Sequence, residues 1–286
     1  MNLKISSALS LLFTLVLIQK CFATESASEI AVSPLSIGEQ LTFKSTVLNE
    51  NRTLNVYLPA SYKKSDDKRY PVIYLLDGAI DEDFIHVSGI VQFASFPWLK
   101  FVPESILVGI VNVDRKRDFT FESSDPLDVK EFPTSGGAAS FIKFLDAEVQ
   151  PLVNKQYRTN QQSTLIGQSL GGLLATKILL DSPNLFNNYL IVSPSLWWNK
   201  ESLLSHPVTV SEGNLNIYIG VGGEGSTMIR LAASLSDKLN QAYKNKNATS
   251  FKYFEELNHG DALHLATYEG LKSIFSENAD TEKPSE

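Results

Sequence analysis

Apolar and polar residues follow two different patterns along this chain, and each pattern predicts its own kind of strand. Residues 38–48 and 52–57 alternate with a period of two around a polar turn at 49–51, which predicts a pair of antiparallel strands. Residues 70–78 instead contain a nearly continuous apolar stretch. Such a stretch is typical of a strand that is buried on both faces of a parallel sheet.

Further apolar stretches predict more buried strands at 105–113, 164–166, 189–192 and 215–221. Helical patterns lie between them, among them 138–153 and 228–243. This alternation predicts an α/β fold with a mostly parallel, doubly wound sheet and helices on both faces. Ligands of such sheets bind outside the carboxyl ends of the strands, so the candidate chemistry is sought in the residues that follow each strand.

The most informative of these positions is the motif Gly167-Gln168-Ser169-Leu170-Gly171. It follows the apolar segment 163–166 and precedes a helical segment of small and apolar residues at 172–180. A serine in this context is typical of the nucleophile elbow, the sharp strand-to-helix turn of the α/β-hydrolase fold. The alternative is a glycine-rich turn with an unreactive serine, and the strand and helix on either side favour the elbow. Bulky residues at the flanking glycines are expected to collide with the neighbouring backbone.

An α/β-hydrolase presents its serine first, then an acid, then a histidine. Of the four histidines, His86 precedes the serine and is excluded, which leaves His206, His259 and His264. We favour His259, because it lies in the loop that leaves a predicted last strand at 251–257. Its role would be to accept the serine proton and then donate it to the leaving group.

Glu224 is the preferred acid, because it follows the strand at 216–221 directly through Gly222 and Gly223. A carboxylate there would fix the tautomer of the histidine and stabilise its charged form. The alternative is a solvated loop carboxylate without a catalytic role. The other acids are less well placed, in a helix, in the last strand or in a surface insertion: Asp237, Glu255, Glu256, Glu201 and Glu212.

An esterase also needs two backbone N–H groups that bind the negative oxygen formed during the reaction. The first is predicted at Leu170, the residue after the nucleophile. The second is expected in a loop after an early strand, which here means Gly78 or Ala79. This chemistry requires no metal and no cofactor.

The N-terminus is predicted to be a signal peptide over residues 1–23, with Lys4 as its charged start and an apolar stretch at 9–18. Cleavage after Ala23 would remove Cys21, the single cysteine of the chain, and lipid attachment at Cys21 is the alternative. The expected location is therefore periplasmic or secreted. The remaining chain is divided into a linker at 24–35, an α/β-hydrolase domain at 36–277 and a disordered tail at 278–286.

Charge excludes one class of partner. The net charge is −7, and removal of the signal peptide, which carries two lysines and no carboxylate, would take it to −9. Such a chain is not expected to bind nucleic acid. No stable membrane insertion is expected after signal removal, and the expected partner is a small-molecule ester. The oligomeric state is left open by the sequence.

Several segments together resemble one family. They are the strand end at 70–78, the segments 117–120 and 136–138, the elbow with its added glycine at 172, the segment 193–198 and the loop 258–260. Over about residues 36–276 the chain resembles the putative esterase group of α/β-hydrolases, which includes enterobactin-type siderophore esterases, S-formylglutathione hydrolases and feruloyl esterases. Within that group it is most similar to the periplasmic siderophore-esterase and predicted-hydrolase branch.

The resemblance implies Ser169 and His259 as the catalytic pair. Some members of this branch use a dyad, so Glu224 is either a catalytic acid or a bystander. Arg117 matches a family arginine beside the active site and would bind a carboxylate or catecholate, with a solvated surface charge as the alternative. Trp197 and Trp198 would line an aromatic acyl pocket, with core or lid packing as the alternative.

The expected function is that of a serine carboxylic-ester hydrolase that works through an acyl-enzyme, on siderophore or phenolic esters. One alternative is an acyltransferase on the same scaffold, in which a dry pocket admits an alcohol in place of water. The other is a catalytically silent binding protein.

Overall fold

The computed structural model describes residues 30–64, 67–211, 213, 215–243 and 249–279. The predicted signal peptide, half of the predicted linker and most of the predicted tail lie outside these residues. The chain divides into two units, Met1–Ser36 and Ile37–Glu286. In the first unit the described residues 30–36 form neither helix nor strand. The second unit contains the sheet and its helices.

One sheet of eight strands organises the second unit, in the order β1-β2-β4-β3-β5-β6-β7-β8. In chain order the strands are β1 (Glu39–Lys44), β2 (Asn51–Tyr57), β3 (Tyr70–Leu75), β4 (Ile106–Ile110), β5 (Thr159–Gln168), β6 (Asn188–Val192), β7 (Asn216–Gly222) and β8 (Thr249–Phe254). β2 is antiparallel to both β1 and β4, and every other pair of neighbours is parallel. The predicted mostly parallel α/β-hydrolase sheet is confirmed.

The α-helices of the described residues are α1 (Phe84–Ala94), α2 (Arg115–Phe119), α3 (Pro126–Glu131), α4 (Ala138–Phe144), α5 (Gln150–Gln156), α6 (Leu170–Asp181), α7 (Trp198–Ser205), α8 (Ser226–Ala242) and α9 (Ala262–Ala279). A π-helical turn at Leu145–Val149 joins α4 to α5, and a 3₁₀ turn lies at Pro183–Leu185. Among the described helices, none combines the length and apolarity that a membrane span requires.

The helices cover both faces of the sheet, and alternate residues of β3 show the division. Val72 and Tyr74 belong to a buried cluster that includes residues of α4, α6 and α8. Ile73 and Leu75 belong to a second cluster, built with α1 and α9. Successive strand residues point to opposite faces, so an apolar run is required wherever both faces are covered. The apolar stretch at 70–78 is explained in this way.

Two elements differ from the prediction for physical reasons. β1 ends at Lys44 because the hydroxyls of Ser45 and Thr46 donate hydrogen bonds to Glu148, which turns the chain before the predicted end at residue 48. The helix predicted at 138–153 is divided by the π-helical turn. Pro151, just after that turn, has no N–H to donate to the preceding turn of helix.

Candidate active site

Ser169 lies between the end of β5 and the start of α6, where the predicted elbow was expected. Its φ of 58° and ψ of −118° place a non-glycine residue in a strained region of backbone conformation. The surrounding backbone holds it there: the N–H of Ser169 donates to the carbonyl of Val192 at 3.1 Å, and the N–H of Ser195 donates to the carbonyl of Ser169 at 3.0 Å. β6 and the segment after it therefore stabilise the strained turn.

The glycines of the elbow are not equally constrained. A Cβ atom at Gly167 would lie 2.4 Å from the carbonyl oxygen of Gly171, which no real contact allows. A Cβ at Gly171 would lie 3.4 Å from its nearest neighbour, a side-chain oxygen of Asp77. At Gly172 the nearest atoms, in Pro194 and Val192, would be 3.0 Å away. Gly167 and Gly172 are thus the crowded positions, and Gly171 has room for a methyl group but not for a bulky side chain.

His259 and Glu224 are in direct contact. Nδ1 of His259 lies 2.5 Å from Oε2 of Glu224, although the two residues are 35 positions apart in the chain. The Glu224 side chain is only 4% exposed, whereas the His259 side chain is 47% exposed. The carboxylate is therefore fixed within the protein, and the imidazole that it holds reaches the solvent.

A second residue fixes the other oxygen of this carboxylate. The hydroxyl of Ser193 donates a short hydrogen bond to Oε1 of Glu224, and the backbone N–H of Gly222 donates to the same oxygen at 3.1 Å. Ser193 is fully buried and has a φ of +43°. Burial raises the pKa of Glu224, but the hydrogen bonds from His259 and Ser193 outweigh it, so the pKa lies below its ordinary value. The carboxyl is thereby held in its charged form.

Glycines bring the histidine loop close to the end of β7. The N–H of Gly223 donates to the carbonyl of Leu257 at 2.5 Å. A Cβ at Gly222 would lie 2.7 Å from that same carbonyl, and a Cβ at Gly223 would lie 2.4 Å from the carbonyl of Glu255. Only glycine permits this approach. The loop is also tied to the elbow, because the side-chain amide of Gln168 donates to the carbonyl of His259 at 2.5 Å.

The hydroxyl of Ser169 has a different neighbour. Its Oγ lies 3.3 Å from Oγ of Ser195, a residue that is 2% exposed. Within the described residues, no hydrogen bond joins Ser169 to His259. Catalytic hydrogen bonds are often long before substrate binds, so this geometry does not remove His259 as the base. Ser193 and Ser195 lie in a segment that contributed to the family resemblance, and the sequence alone assigned neither a role.

The two predicted oxyanion donors after β3 have different surroundings. The N–H of Gly78 donates to the carbonyl of Ile110 at 3.0 Å and is therefore committed to the backbone. The N–H of Ala79 donates to the carboxylate of Glu82 at 3.1 Å, and Glu82 is exposed and able to move away. This corrects the Gly78 alternative and leaves Ala79 as the candidate. Leu170 is the first residue of α6, where backbone N–H groups have no partner within the helix.

Arg117 does not lie free beside the site, which corrects its predicted substrate-binding role. Its guanidinium donates to both oxygens of Glu50, at 2.6 and 3.1 Å, and to Asp118 at 2.7 Å. Asp118 in turn binds Arg52, and both residues are 1% exposed. The hydrogen bonds that Arg117 donates to Asp118 and Glu50 raise the pKa of Arg117. Arg117 is thus part of an ion cluster that ties the β1–β2 turn to α2.

Arg115, which the sequence analysis did not select, lies next to the elbow. It forms two hydrogen bonds with Asp77, at 2.6 and 3.1 Å, and one with the carbonyl of Gln168 at 3.4 Å. Asp77 ends the segment before Ala79 and has a φ of +56°. Arg115 therefore connects the candidate oxyanion loop to the nucleophile elbow. The three consecutive basic residues at 115–117 are visible in the sequence, but nothing in the sequence shows which of them lies beside the elbow.

The two tryptophans also have different positions. Trp198 is fully buried and its indole N–H donates to the carbonyl of Phe121 at 2.9 Å, so it belongs to the core and its predicted pocket role is corrected. Trp197 is partly buried and packs against Phe132, with ring centroids 5.9 Å apart. A role for Trp197 in substrate binding remains a prediction.

The rival residues lie elsewhere. His206 caps the end of α7 and pairs with Asp181 at 2.6 Å, and His264 in α9 contacts His86. Of the rival acids, Asp237 lies in α8 and Glu201 pairs with Arg230, while Glu255 and Glu256 follow β8 and Glu212 is outside the described residues. In the described part of the chain, no group of three or more His, Cys, Asp or Glu residues is placed to hold a metal ion.

Nucleophile, imidazole and carboxylate thus follow β5, β8 and β7 at one edge of the sheet, with free N–H groups at the start of α6. The fold defines the class of the protein, an α/β-hydrolase, and the three side chains are arranged as expected for a serine esterase. A family model described as "Putative esterase" matches residues 45–266. The chain belongs to this family.

Individual relatives agree with the family. The chain is 31% identical over 198 residues to the ferri-bacillibactin esterase BesA of Bacillus subtilis, a match that covers 61% of this chain and 66%, just under two thirds, of that protein. The crystal structure of an IroE-like serine hydrolase from Shewanella oneidensis has a TM-score of 0.71 and 27% identity, covering 84% of this chain and 80% of the other. The BES protein from Bacillus cereus has a TM-score of 0.73 and 29% identity, covering 86% and 99%.

Proposed function

We propose that this protein hydrolyses the ester bonds of a siderophore through an acyl-enzyme on Ser169. The observation that carries the proposal is the strained serine at the end of β5, at the same edge of the sheet as the paired His259 and Glu224. The similarity to a protein named ferri-bacillibactin esterase supports a siderophore as the substrate. Phenolic esters are the alternative substrates.

In the proposed mechanism His259 removes the proton from Oγ of Ser169 as that oxygen attacks the ester carbonyl. Glu224 accepts the hydrogen bond from Nδ1 of His259, so that Nε2 is the atom that takes the proton. The backbone N–H of Leu170, with Ala79 once Glu82 has moved, stabilises the oxyanion. His259 then donates the proton to the alcohol that leaves, and Ser169 keeps the acyl group.

Water completes the cycle by the same steps in reverse order. His259 removes a proton from water, the resulting hydroxide attacks the acyl carbonyl, and the proton returns to Oγ of Ser169 as the acid is released. The half-exposed imidazole supports hydrolysis over acyl transfer, because water reaches the base directly. An acyltransferase would need an acceptor pocket that excludes water.

The test compares wild-type protein with Ser169→Ala on three kinds of ester: p-nitrophenyl acetate, a phenolic ester such as methyl ferulate, and a catecholate trilactone with and without iron. We expect turnover to depend on Ser169 and kcat/KM to be highest on the trilactone. Ser105→Ala is the matched control, because Ser105 is buried at the opposite end of the sheet, before β4. Undiminished turnover in Ser169→Ala would refute the mechanism, and a preference for methyl ferulate would refute the siderophore assignment alone.

We also propose that the chain is exported to the periplasm or secreted. The charged start, apolar stretch and small-residue exit of residues 1–23 support this location. Expression in a Gram-negative host, followed by fractionation and N-terminal sequencing, tests it. A chain that begins at Thr24 in the periplasmic or extracellular fraction is the expected result, and an uncleaved chain in the cytoplasmic fraction would contradict it.

A further inference from the structure

Two histidines outside the proposed mechanism lie against each other on the surface. Nε2 of His86 is 2.9 Å from Nδ1 of His264, and the ring centroids are 4.6 Å apart. His86 lies in the first turn of α1 and His264 in the first turn of α9. Both residues are exposed.

The contact is unusual because two imidazoles can share it only when one of the facing nitrogens lacks a proton. A neutral imidazole nitrogen is the form that binds transition metals. The pair therefore offers at least one metal-binding nitrogen at neutral pH, and a second once a metal ion replaces the shared proton.

We propose that His86 and His264 form a two-histidine site for a divalent transition-metal ion that links α1 to α9. With metal–nitrogen bonds of about 2.0–2.1 Å, two nitrogens 2.9 Å apart subtend an angle near 90° at the metal. That is the angle between neighbouring ligands in square-planar or octahedral coordination, whereas tetrahedral coordination would need the nitrogens about 3.4 Å apart. Cu²⁺ and Ni²⁺, which accept neighbouring ligands at this angle, are therefore the first ions to test. A rotation of the two exposed rings turns both lone pairs toward the ion.

The segments that lead into the two helices are acidic. Asp81, Glu82 and Asp83 directly precede α1, and Asp261 directly precedes α9. These carboxylates offset the positive ends of the two helices. Because the described residues hold no cluster of three metal-binding side chains, the ion would have two protein ligands and complete its coordination with water.

The position of the site gives the ion a structural role. α1 follows the candidate oxyanion loop, and α9 follows the loop that carries His259. Both helices pack on the same face of the sheet, through buried residues such as Val87 and Ala266. An ion held between their first turns would stabilise the folded protein, because it binds both ligands together only in the folded chain.

The test measures Cu²⁺, Ni²⁺ and Zn²⁺ binding by the full-length protein after chelator treatment, using calorimetry and the thermal unfolding midpoint. We expect one saturable site with affinity in the order Cu²⁺ above Ni²⁺ and Zn²⁺, and a rise in Tm of several degrees with saturating Cu²⁺. His86→Asn and His264→Asn should each weaken binding at least tenfold and abolish the rise in Tm. His206→Asn is the matched control, since it removes an exposed histidine from a different surface.

Electron paramagnetic resonance of the Cu²⁺ complex provides an independent readout. The wild-type spectrum should show coordination by two imidazole nitrogens, and each single variant should show at most one. Equal Cu²⁺ affinity in the wild type, His86→Asn and His264→Asn would overturn the proposal, as would loss of binding in His206→Asn alone. Absence of saturable Cu²⁺ binding in the wild type would also overturn it and would leave the contact as a hydrogen bond between two rings.

Discussion

Nδ1 of His259 lies 2.5 Å from Oε2 of Glu224, the contact that a catalytic triad requires. An acid that holds the correct tautomer contributes several orders of magnitude to kcat in serine hydrolases. An amide at the same position keeps the shape but presents either a neutral oxygen or an N–H group to the imidazole. The role of Glu224 can therefore be measured with a single isosteric change.

We expect Glu224→Gln to lower kcat on an activated ester by at least about a hundredfold, because the imidazolium formed during the reaction loses its counter-charge. Steady-state kinetics of purified protein provide the measurement. Glu201→Gln is the control, because Glu201 pairs with Arg230 on the surface and should leave kcat unchanged. A loss below about tenfold, or roughly 1.4 kcal/mol, would instead indicate that Ser169 and His259 act as a dyad.

Ser193→Ala should reveal how the carboxylate is held. The hydroxyl of Ser193 is one of the groups that lower the pKa of Glu224, so its removal lets that pKa rise. A carboxyl whose pKa is lowered in the folded protein stabilises the folded state at pH values above its ordinary pKa of about 4.3. This stabilisation disappears as the pH falls through the folded-state pKa. We expect the variant to lose about 1.5–3 kcal/mol of unfolding free energy at pH 7, and much less at pH 3.

Urea unfolding at both pH values measures this difference. Ser105→Ala is the matched control, because its buried hydroxyl donates to the uncharged carbonyl of Pro103 at 2.7 Å. Its loss of stability should be similar at pH 7 and pH 3. If Ser193→Ala also loses the same unfolding free energy at pH 7 and at pH 3, the hydroxyl of Ser193 does not stabilise the charged form of Glu224.

Arg115 and Arg117 should behave differently when each is replaced by glutamine. Arg115→Gln removes the link between Asp77 and the elbow, and kcat/KM should fall roughly tenfold or more because the oxyanion donors are displaced. Arg117→Gln removes hydrogen bonds to Glu50 and Asp118, and should cost about 1 kcal/mol of stability while leaving KM unchanged. Kinetics and urea unfolding of both variants make the comparison. A raised KM in Arg117→Gln with unchanged stability would restore its substrate-binding role.

The elbow glycines provide a steric test. Gly167→Ala places a methyl group 2.4 Å from a backbone oxygen, so the turn must shift, and we expect both stability and kcat to fall sharply. Gly171→Ala places its methyl in ordinary contact at 3.4 Å and should change both by much less. The thermal unfolding midpoint and the esterase rate of the two variants, measured under the same conditions, provide the comparison. Equal tolerance at the two positions would show that the backbone of the elbow is free to relax.

Asp83, which directly precedes α1, should limit stability near neutral pH. Burial, and then the charges of Asp77 and Glu82, raise the pKa of Asp83 to about 6. A carboxyl with a raised pKa favours the folded state when it is protonated, and this contribution is lost as the pH rises through about 6. Because Asp83 is partly exposed and solvent screens its charge, Asp83→Asn should increase the unfolding free energy at pH 7 by about 1 kcal/mol, and by little at pH 4.

Unfolding of Asp83→Asn by urea at pH 7 and pH 4 is the measurement. Asparagine keeps the size and the helix-capping ability of aspartate, so the change isolates the charge. Asp125→Asn is a control, because Asp125 precedes α3 and accepts a hydrogen bond from Leu127. A stabilisation of Asp83→Asn that is equal at both pH values would contradict the effect of charge.

The sequence by itself predicted the sheet and the candidate nucleophile, because both depend on local patterns. Strands covered on both faces must be apolar at consecutive positions, as 70–78 shows, and the turn around Ser169 requires Gly167 whatever lies further away. General rules of parallel sheets also placed the candidate site at the carboxyl ends of the strands, whereas the order of the strands comes from the structure. Chain order excluded His86, and the positions of His259 and Glu224 after predicted strands then favoured them as base and acid.

Only the tertiary structure decided which side chains and backbone N–H groups are available to the site and which are bound to other parts of the protein. Arg115 and Arg117 are separated by a single residue and are chemically identical, yet one lies beside the elbow and the other binds Glu50 and Asp118. Gly78 and Ala79 differ in the same way, because only the fold shows that the N–H of Gly78 is bound to Ile110. Hydrogen bonds and ion pairs between distant segments depend on positions that no local pattern encodes. For this reason the sequence identified the chemistry of the site, and the packing of distant segments selected the residues that support it.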